Sequence, residues 1–148
     1  MMKKLKVVLL VAVAALSSTA CVTDDAPPPG LNLELTRATN QKLYTVALKS
    51  LEEPIVVNKI HPWEILLTNA NGEPIDNARI KVDGGMPQHG HGFPTQPRVT
   101  KNLGNGRYLL EGVKFSMTGW WEIKLDIQSA LGNDQITLNK VIALPVKK

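Results

Sequence analysis

Cysteine is nearly absent from this chain of 148 residues, and its scarcity excludes several kinds of site. The one cysteine is Cys21. A single thiol cannot form an intramolecular disulfide, a four-cysteine zinc site or a CxxC redox centre. Any metal site must therefore draw most of its ligands from other residue types.

The sequence also has no apolar run long enough to cross a bilayer as a permanent helix. Its most apolar stretch, Val7 to Leu16, is shorter than the roughly 20 residues that such a helix needs. The stretch follows Lys3, Lys4 and Lys6 and precedes small residues, a pattern typical of an export signal. We therefore predict a signal peptide at residues 1–20 and a protein that works in the cell envelope, facing the periplasm.

The position of Cys21 resembles the lipobox of bacterial lipoproteins, in which the cysteine is acylated and becomes the first mature residue. Ser18 departs from that pattern, which favours Leu, Val or Ile three residues before the cysteine. The alternative is ordinary cleavage after Ala20, which leaves a free thiol. The lipobox reading predicts a lipid anchor at Cys21 and the membrane as a partner.

The mature chain divides into a tether and one folded domain. Residues 22–30 combine two acids, three prolines and a glycine without an apolar period, which is typical of an extended linker. The segment 31–40 is ambiguous and could rest loosely against the domain. We assign residues 21–40 to the anchor and tether and 41–148 to the domain.

An excess of basic residues, which would otherwise suggest nucleic acid, is largely confined to the signal. Three of the seventeen Lys and Arg lie there and none of the thirteen acids does, so the mature chain is close to neutral. A near-neutral domain offers little attraction to a phosphate backbone. Nucleic acid is therefore excluded as a partner.

The domain shows no convincing helical period and reads as strands separated by turn signals. Seven or eight short strands at this spacing predict an all-β, immunoglobulin-like β-sandwich. A loop rich in glycine and proline, Gly84 to Pro97, is long for a connector. The candidate strands are Lys42–Lys49, Pro54–Ile60, Trp63–Thr68, Ala78–Val82, Arg98–Lys101, Arg107–Phe115, Trp120–Ser129 and Gln135–Leu144.

Strand pairing predicts that the histidines meet at one end of the sandwich. We expect Trp63–Thr68 and Ala78–Val82 to form a hairpin, and the strand that starts at Trp120 to pair with Ala78–Val82. These pairings place the start of Trp63–Thr68, the end of Ala78–Val82 and the start of the strand at Trp120 at the same end of the sandwich, beside the long loop. The residues that converge there are His61, Met86, His89, His91 and Met117.

Imidazole with thioether sulfur and no thiolate suits copper best, and zinc is the second choice. The alternative is that these residues bind no metal: the histidines are solvated or hydrogen-bonded to the backbone, and the methionines fill the core. Trp120 and Trp121 should face opposite ways, so one is buried. The outward one is the better candidate for shielding the site or contacting a partner.

The run from Gly85 to Gly92, followed by Gly106-Arg107-Tyr108 and by Phe115 to Glu122, resembles the YtkA-like and FixH-like family of exported bacterial domains. The resemblance covers roughly His61 to Ile127. Thr118 stands where related sequences often have proline. The resemblance implies an immunoglobulin-like sandwich, and FixH-like members are associated with metal or cation handling around respiratory oxidases.

Two functions remain open. The first is a metal-binding accessory protein of the envelope that holds copper for delivery to, or protection of, an envelope partner. The second is a metal-free interaction module that uses the loop at residues 84–97 and an exposed tryptophan. An enzyme is not expected, because no nucleophile with an adjacent base, paired carboxylates or cofactor loop can be placed.

Overall fold

The structure, a computed structural model, describes residues 26–144. The predicted signal peptide and Cys21 lie outside the described residues. In the described part no helix is both long and apolar enough to pass through a bilayer.

Nine antiparallel strands form two sheets that face each other, so the predicted all-β sandwich is confirmed. One sheet has the order β1-β2-β3-β7-β6 and the other the order β5-β4-β8-β9. The strands are β1 Thr36–Ala38, β2 Tyr44–Ser50, β3 Ile60–Asn69, β4 Arg79–Met86, β5 His91–Gly92, β6 Arg98–Gly104, β7 Arg107–Lys114, β8 Gly119–Ser129 and β9 Gly132–Ile142.

The core lies between the sheets and follows from the two-residue alternation of the strands. In β8 the apolar positions are buried while the polar positions between them reach solvent. The same alternation holds in β3, whose inward side chains are fully buried. The inward core residues of these two strands are Trp63, Ile65, Leu67, Trp121, Ile123, Leu125 and Ile127.

The predicted hairpin between β3 and β4 is wrong, because the two strands lie in different sheets. β3 pairs with β2 and β7, and β4 pairs with β8 and β5. The predicted pairing of β4 with β8 is correct. Because β2 and β7 pair with the two edges of β3, no edge of β3 remains for β4 to pair with.

The chain passes from one sheet to the other between Ile75 and Ala78. The Tyr108 hydroxyl donates to the Ile75 carbonyl and accepts from the Ala78 amide. The Asp76 carboxylate accepts the Gly106 amide at 2.5 Å. These bonds satisfy backbone groups that have no strand partner where the chain crosses from one sheet to the other.

Two further predictions about local structure are corrected. Pro54–Ile60 is not a strand except for its last residue; the chain forms a loop there, and the Asn58 amide donates to the Phe115 carbonyl at 2.8 Å. The long loop is also shorter than predicted. β4 continues to Met86, a 3-10 turn covers Pro87–His89, and β5 follows at once.

The N-terminal segment is partly ordered against the domain. β1 pairs with β2, although it falls within residues 21–40. Asp134 is buried beneath the turn between β1 and β2. Its carboxylate accepts hydrogen bonds from the Thr39 hydroxyl, at 2.5 Å, and from the amides of Gln41, Leu43 and Gln135. Burial acts to raise the pKa of Asp134, but these hydrogen bonds outweigh it and lower the pKa below its usual value.

Candidate metal site at one end of the sandwich

One end of the sandwich, called the tip here, is formed by residues 51–59, 87–92 and 115–118. β3 begins there beside the end of β7, as Ile60 pairs with Lys114. β8 begins there beside the end of β4, as Gly85 pairs with Glu122. The predicted site residues therefore all belong to one end of the domain, although only some of their side chains meet.

Two glycines of β4 allow its neighbours β5 and β8 to lie close against it. Gly84 and Gly85 both have positive φ, 150° and 156°. A Cβ at Gly85 would overlap the His91 carbonyl oxygen, and one at Gly84 would overlap the Glu122 carbonyl oxygen. The absence of a side chain at Gly85 therefore lets the short strand that carries His91 approach β4, and its absence at Gly84 lets β8 approach on the other side.

Met86 lies directly opposite His91 in the β4–β5 ladder. Opposed residues in an antiparallel pair project to the same face, with Cβ atoms about 4.5–5.5 Å apart. The Met86 side chain is buried, whereas His91 is exposed. A buried thioether and a solvent-accessible imidazole therefore occupy opposed positions on the same face of this ladder.

The His89 ring stacks on the His91 ring, with centroids 6.0 Å apart and an angle of 29° between the planes. His89 ends the 3-10 turn, and Gly90 follows in the left-handed conformation with its amide bonded to the Met86 carbonyl at 3.0 Å. His91 Nδ1 also lies 3.0 Å from the Gly92 carbonyl oxygen. Both rings are on exposed residues.

Three aromatic rings, of which Trp121 and Phe115 are buried and Phe93 is partly buried, lie behind His91. His91 packs edge to face against Trp121 at 5.6 Å, and Trp121 stacks on Phe93 at 5.5 Å. Phe115 contacts both rings. Sequence reasoning missed Phe93, whose signal was a large aromatic residue within a stretch of glycine and proline.

Trp121, rather than its neighbour, is the tryptophan that contacts the site. The two face opposite ways as predicted: Trp121 is buried and Trp120 is half-buried. Trp120 donates its Nε1 proton to Asn139 on the outer face, at 3.0 Å. The prediction that the outward tryptophan would be the better shield is therefore wrong, since the inward ring lies against His91.

The His61 ring makes different contacts. It is fully buried, and its Nε2 lies 3.0 Å from both the amide nitrogen and the carbonyl oxygen of Val56. Its Nδ1 lies 3.6 Å from Glu52 and has no hydrogen-bond partner among the described residues. Lys59 bonds and attracts Glu52 and so lowers the pKa of that carboxyl group.

Met117 lies in the connection between β7 and β8. Its carbonyl oxygen accepts the Nε1 proton of Trp121 at 3.1 Å, and its side chain is half-buried against the core. Met117 and His91 therefore contact the same indole ring. The structure thus brings together Met86, His89 and His91, places Met117 across Trp121 from them, and holds His61 in separate bonds.

An open depression of ≈ 290 Å³ lies beside His91, and its lining also includes Met86, Asp83, Glu122 and Lys124. Lys124 pairs with Glu122 at 3.1 Å, which occupies that carboxylate. Within residues 26–144 no three His, Cys, Asp or Glu side chains are grouped so that they could hold a metal ion. A site that uses three such ligands is therefore not formed by the described side chains.

Comparison with known proteins gives a family and no individual relative. A search of curated proteins and a search of solved structures each found no match. A family model described as YtkA-like matches residues 38–126, which span β1 to most of β8 and include the whole tip. The match covers more than half of the chain, and the chain therefore belongs to the YtkA-like family.

Proposed function

We propose that this protein is an accessory protein of the cell envelope that binds copper at the tip and delivers it to, or protects, an envelope partner. His89 and His91 provide imidazole nitrogen and Met86 provides thioether sulfur. Cys21, acylated after export, anchors the chain to the membrane. The protein acts by binding rather than by catalysis.

The observation that carries this proposal is the cross-strand pair of Met86 and His91 with His89 stacked on its outer side. With metal–nitrogen bonds of about 2.0 Å, two imidazoles that share one ion have centroids roughly 5–6 Å apart. The observed separation is 6.0 Å. Small side-chain rotations at exposed residues bring both rings to a common ion.

The composition of the cluster favours copper over zinc. Zinc sites in proteins are usually completed by cysteine, a carboxylate or a third histidine. No such group of three is found in the described part of the chain. Two imidazoles with a soft thioether match the ligand preference of copper, and of Cu(I) in particular.

Fluorescence titration of the soluble chain from residue 22 onwards tests the proposal. Because His91 packs against Trp121, Cu(II) bound there should quench tryptophan emission. A His89→Ala, His91→Ala variant should bind at least about a hundredfold more weakly, since the loss of even a supporting contact costs 10-fold or more.

A matched control replaces two exposed residues away from the tip, Gln128→Ala and Gln135→Ala, and should leave copper affinity unchanged. Equal affinity of the histidine variant and the parent chain would refute the copper proposal. It would then favour the metal-free interaction module.

A further inference from the structure

We infer that the tip lies against the lipid surface to which the chain is anchored. This inference rests on the proposed acylation of Cys21. It adds an orientation: a metal ion held by His89 and His91 would be taken up and released at the face of the membrane, not on the side that faces the periplasm.

The first support is the path of the N-terminal segment. The Ala26 carbonyl accepts a hydrogen bond from the Gln88 side chain at 2.9 Å, beside His89. The Asn32 carbonyl accepts one from Asn139 at 2.9 Å, and Asn139 pairs with Glu122 near the start of β8. The described chain therefore begins at the tip.

The reach of the remaining chain gives the second support. Four residues lie between Cys21 and Ala26, and the five Cα–Cα steps that join these two residues span at most about 17 Å when fully extended. β8, which runs from the tip to the opposite end, has 11 residues and is roughly 36 Å long. An orientation with the tip away from the membrane would need more chain than is present.

Exposed apolar side chains at the tip favour direct contact between the tip and the bilayer over a position in which the tip is only near it. The loop between β2 and β3 presents Leu51 and Val56, and the first residue of β3 is Ile60; their exposed fractions are 46%, 41% and 53%. Leu144, at the end of β9, is 74% exposed and belongs to the same end of the sandwich. Apolar side chains of this kind gain free energy when they enter the headgroup boundary of a bilayer.

The charged groups on this face leave a small positive excess, because Lys114 and Lys140 outnumber Glu53, which is exposed in the loop between β2 and β3. Lys59 pairs with Glu52 at 2.9 Å, so these two charges largely cancel. Lys114 lies opposite Ile60 across the β3–β7 ladder, and Lys140 lies opposite Trp121 across β8–β9. Cations beside exposed apolar groups are typical of residues that contact lipid headgroups.

The test uses the full chain, acylated and reconstituted into vesicles of phosphatidylethanolamine and phosphatidylglycerol. Acylation blocks the thiol of Cys21, which is the one native cysteine, so a fluorescent maleimide reacts with an introduced cysteine alone. Leu51→Cys places the label at the tip. Leu131→Cys places it in the β8–β9 turn at the opposite end, with a matched exposed fraction of 50%.

Lipids that carry a nitroxide quencher should quench the Leu51→Cys label at least about threefold more than the Leu131→Cys label, because a nitroxide in the bilayer reaches only groups at or within it. Adding Val56→Ser and Ile60→Ser to the Leu51→Cys chain should reduce that quenching while the circular dichroism spectrum stays unchanged. Equal quenching at both ends, or stronger quenching at Leu131→Cys, would overturn the inference.

The failure of each proposal is distinguishable. A mature protein whose mass lacks the lipid would overturn both the anchor and the orientation that rests on it. An acylated protein with equal quenching at both ends would overturn the orientation alone. Copper binding is measured separately on the soluble chain and is independent of either result.

Discussion

Met86 and His91 are paired across the ladder between β4 and the two-residue strand β5, with the Met86 side chain buried and His91 exposed. This pair is local in sequence, but its geometry depends on Gly85, which allows β5 to approach β4. His91 packs against Trp121, which stacks on Phe93, so the candidate ligands are in contact with the packed core.

Replacing Met86 by leucine should separate the role of its sulfur from the role of its volume. Leu and Met are similar in size, and such swaps in a core usually cost less than about 1.5 kcal/mol. We expect Cu(I) affinity to fall about tenfold, or roughly 1.4 kcal/mol, with a smaller change for Cu(II). Competition with a Cu(I) chelator measures both; unchanged Cu(I) affinity would show that Met86 is only a packing residue.

Gly85→Ala should displace β5 and with it His91. The added Cβ would overlap the His91 carbonyl, so the free energy of unfolding should fall by about 2–4 kcal/mol. Gly72→Ala is the control: Gly72 also has positive φ, but a Cβ there meets nothing within 4 Å. We expect that variant to lose only about 1 kcal/mol. Urea unfolding measures the free energy lost in each variant, and the difference between the two losses is the cost of the steric overlap at Gly85. Equal losses would contradict the close approach of β4 and β5.

His61→Ala should weaken the fold and leave the metal site intact. The ring is fully buried and bonded to Val56, so its removal should cost about 2–4 kcal/mol. Val113→Ala, a truncation at the buried residue that pairs with His61, is a control for destabilisation at the same place. Copper affinity should change less than about twofold in both variants, because twofold is only about 0.4 kcal/mol. A tenfold loss in His61→Ala alone would make His61 a ligand.

Asp134→Asn should destabilise the protein in a pH-dependent way. The amide cannot accept all the hydrogen bonds made by the carboxylate, so we expect a loss of about 1–3 kcal/mol at pH 7. The pKa of Asp134 is lower in the folded state than the usual value of 3.8. Its stabilising contribution is therefore complete above that value and is lost as the pH falls through the lower, folded pKa.

Thermal unfolding of both proteins from pH 7 to pH 2 measures this effect. The difference between the parent chain and Asp134→Asn should shrink below pH 3.8. A difference that stays constant over the whole range would contradict a role for the ionised carboxylate.

The strands were predictable because their alternation is a local property. β8 and β9 appear in the sequence as long two-residue alternations, and the structure places both within a few residues of their predicted bounds. Pro54–Ile60 failed because a short apolar run lacks that alternation. In the structure its residues serve a loop whose backbone bonds to Phe115 and His61.

Strand partners were less predictable, because pairing is a global choice. The turn after Asn69 resembles a hairpin, and the chain does fold back far enough for Thr68 to bridge to Pro74. It then leaves the sheet at Asp76, since β2 and β7 already occupy both edges of β3. Tyr108, thirty residues away from Ala78, fixes that departure, and nothing in the local sequence shows it.

The sequence by itself determined the β-sandwich and the run of ligand types from Met86 to His91, because alternation and side-chain chemistry are properties of neighbouring residues. Tertiary structure alone decided which of these side chains meet. It turned His61 inward to Val56, set Trp121 against His91, and brought Ala26 beside Gln88. The contacts of Trp121 and Ala26 join residues far apart in the chain, and they form only once the two sheets have packed together.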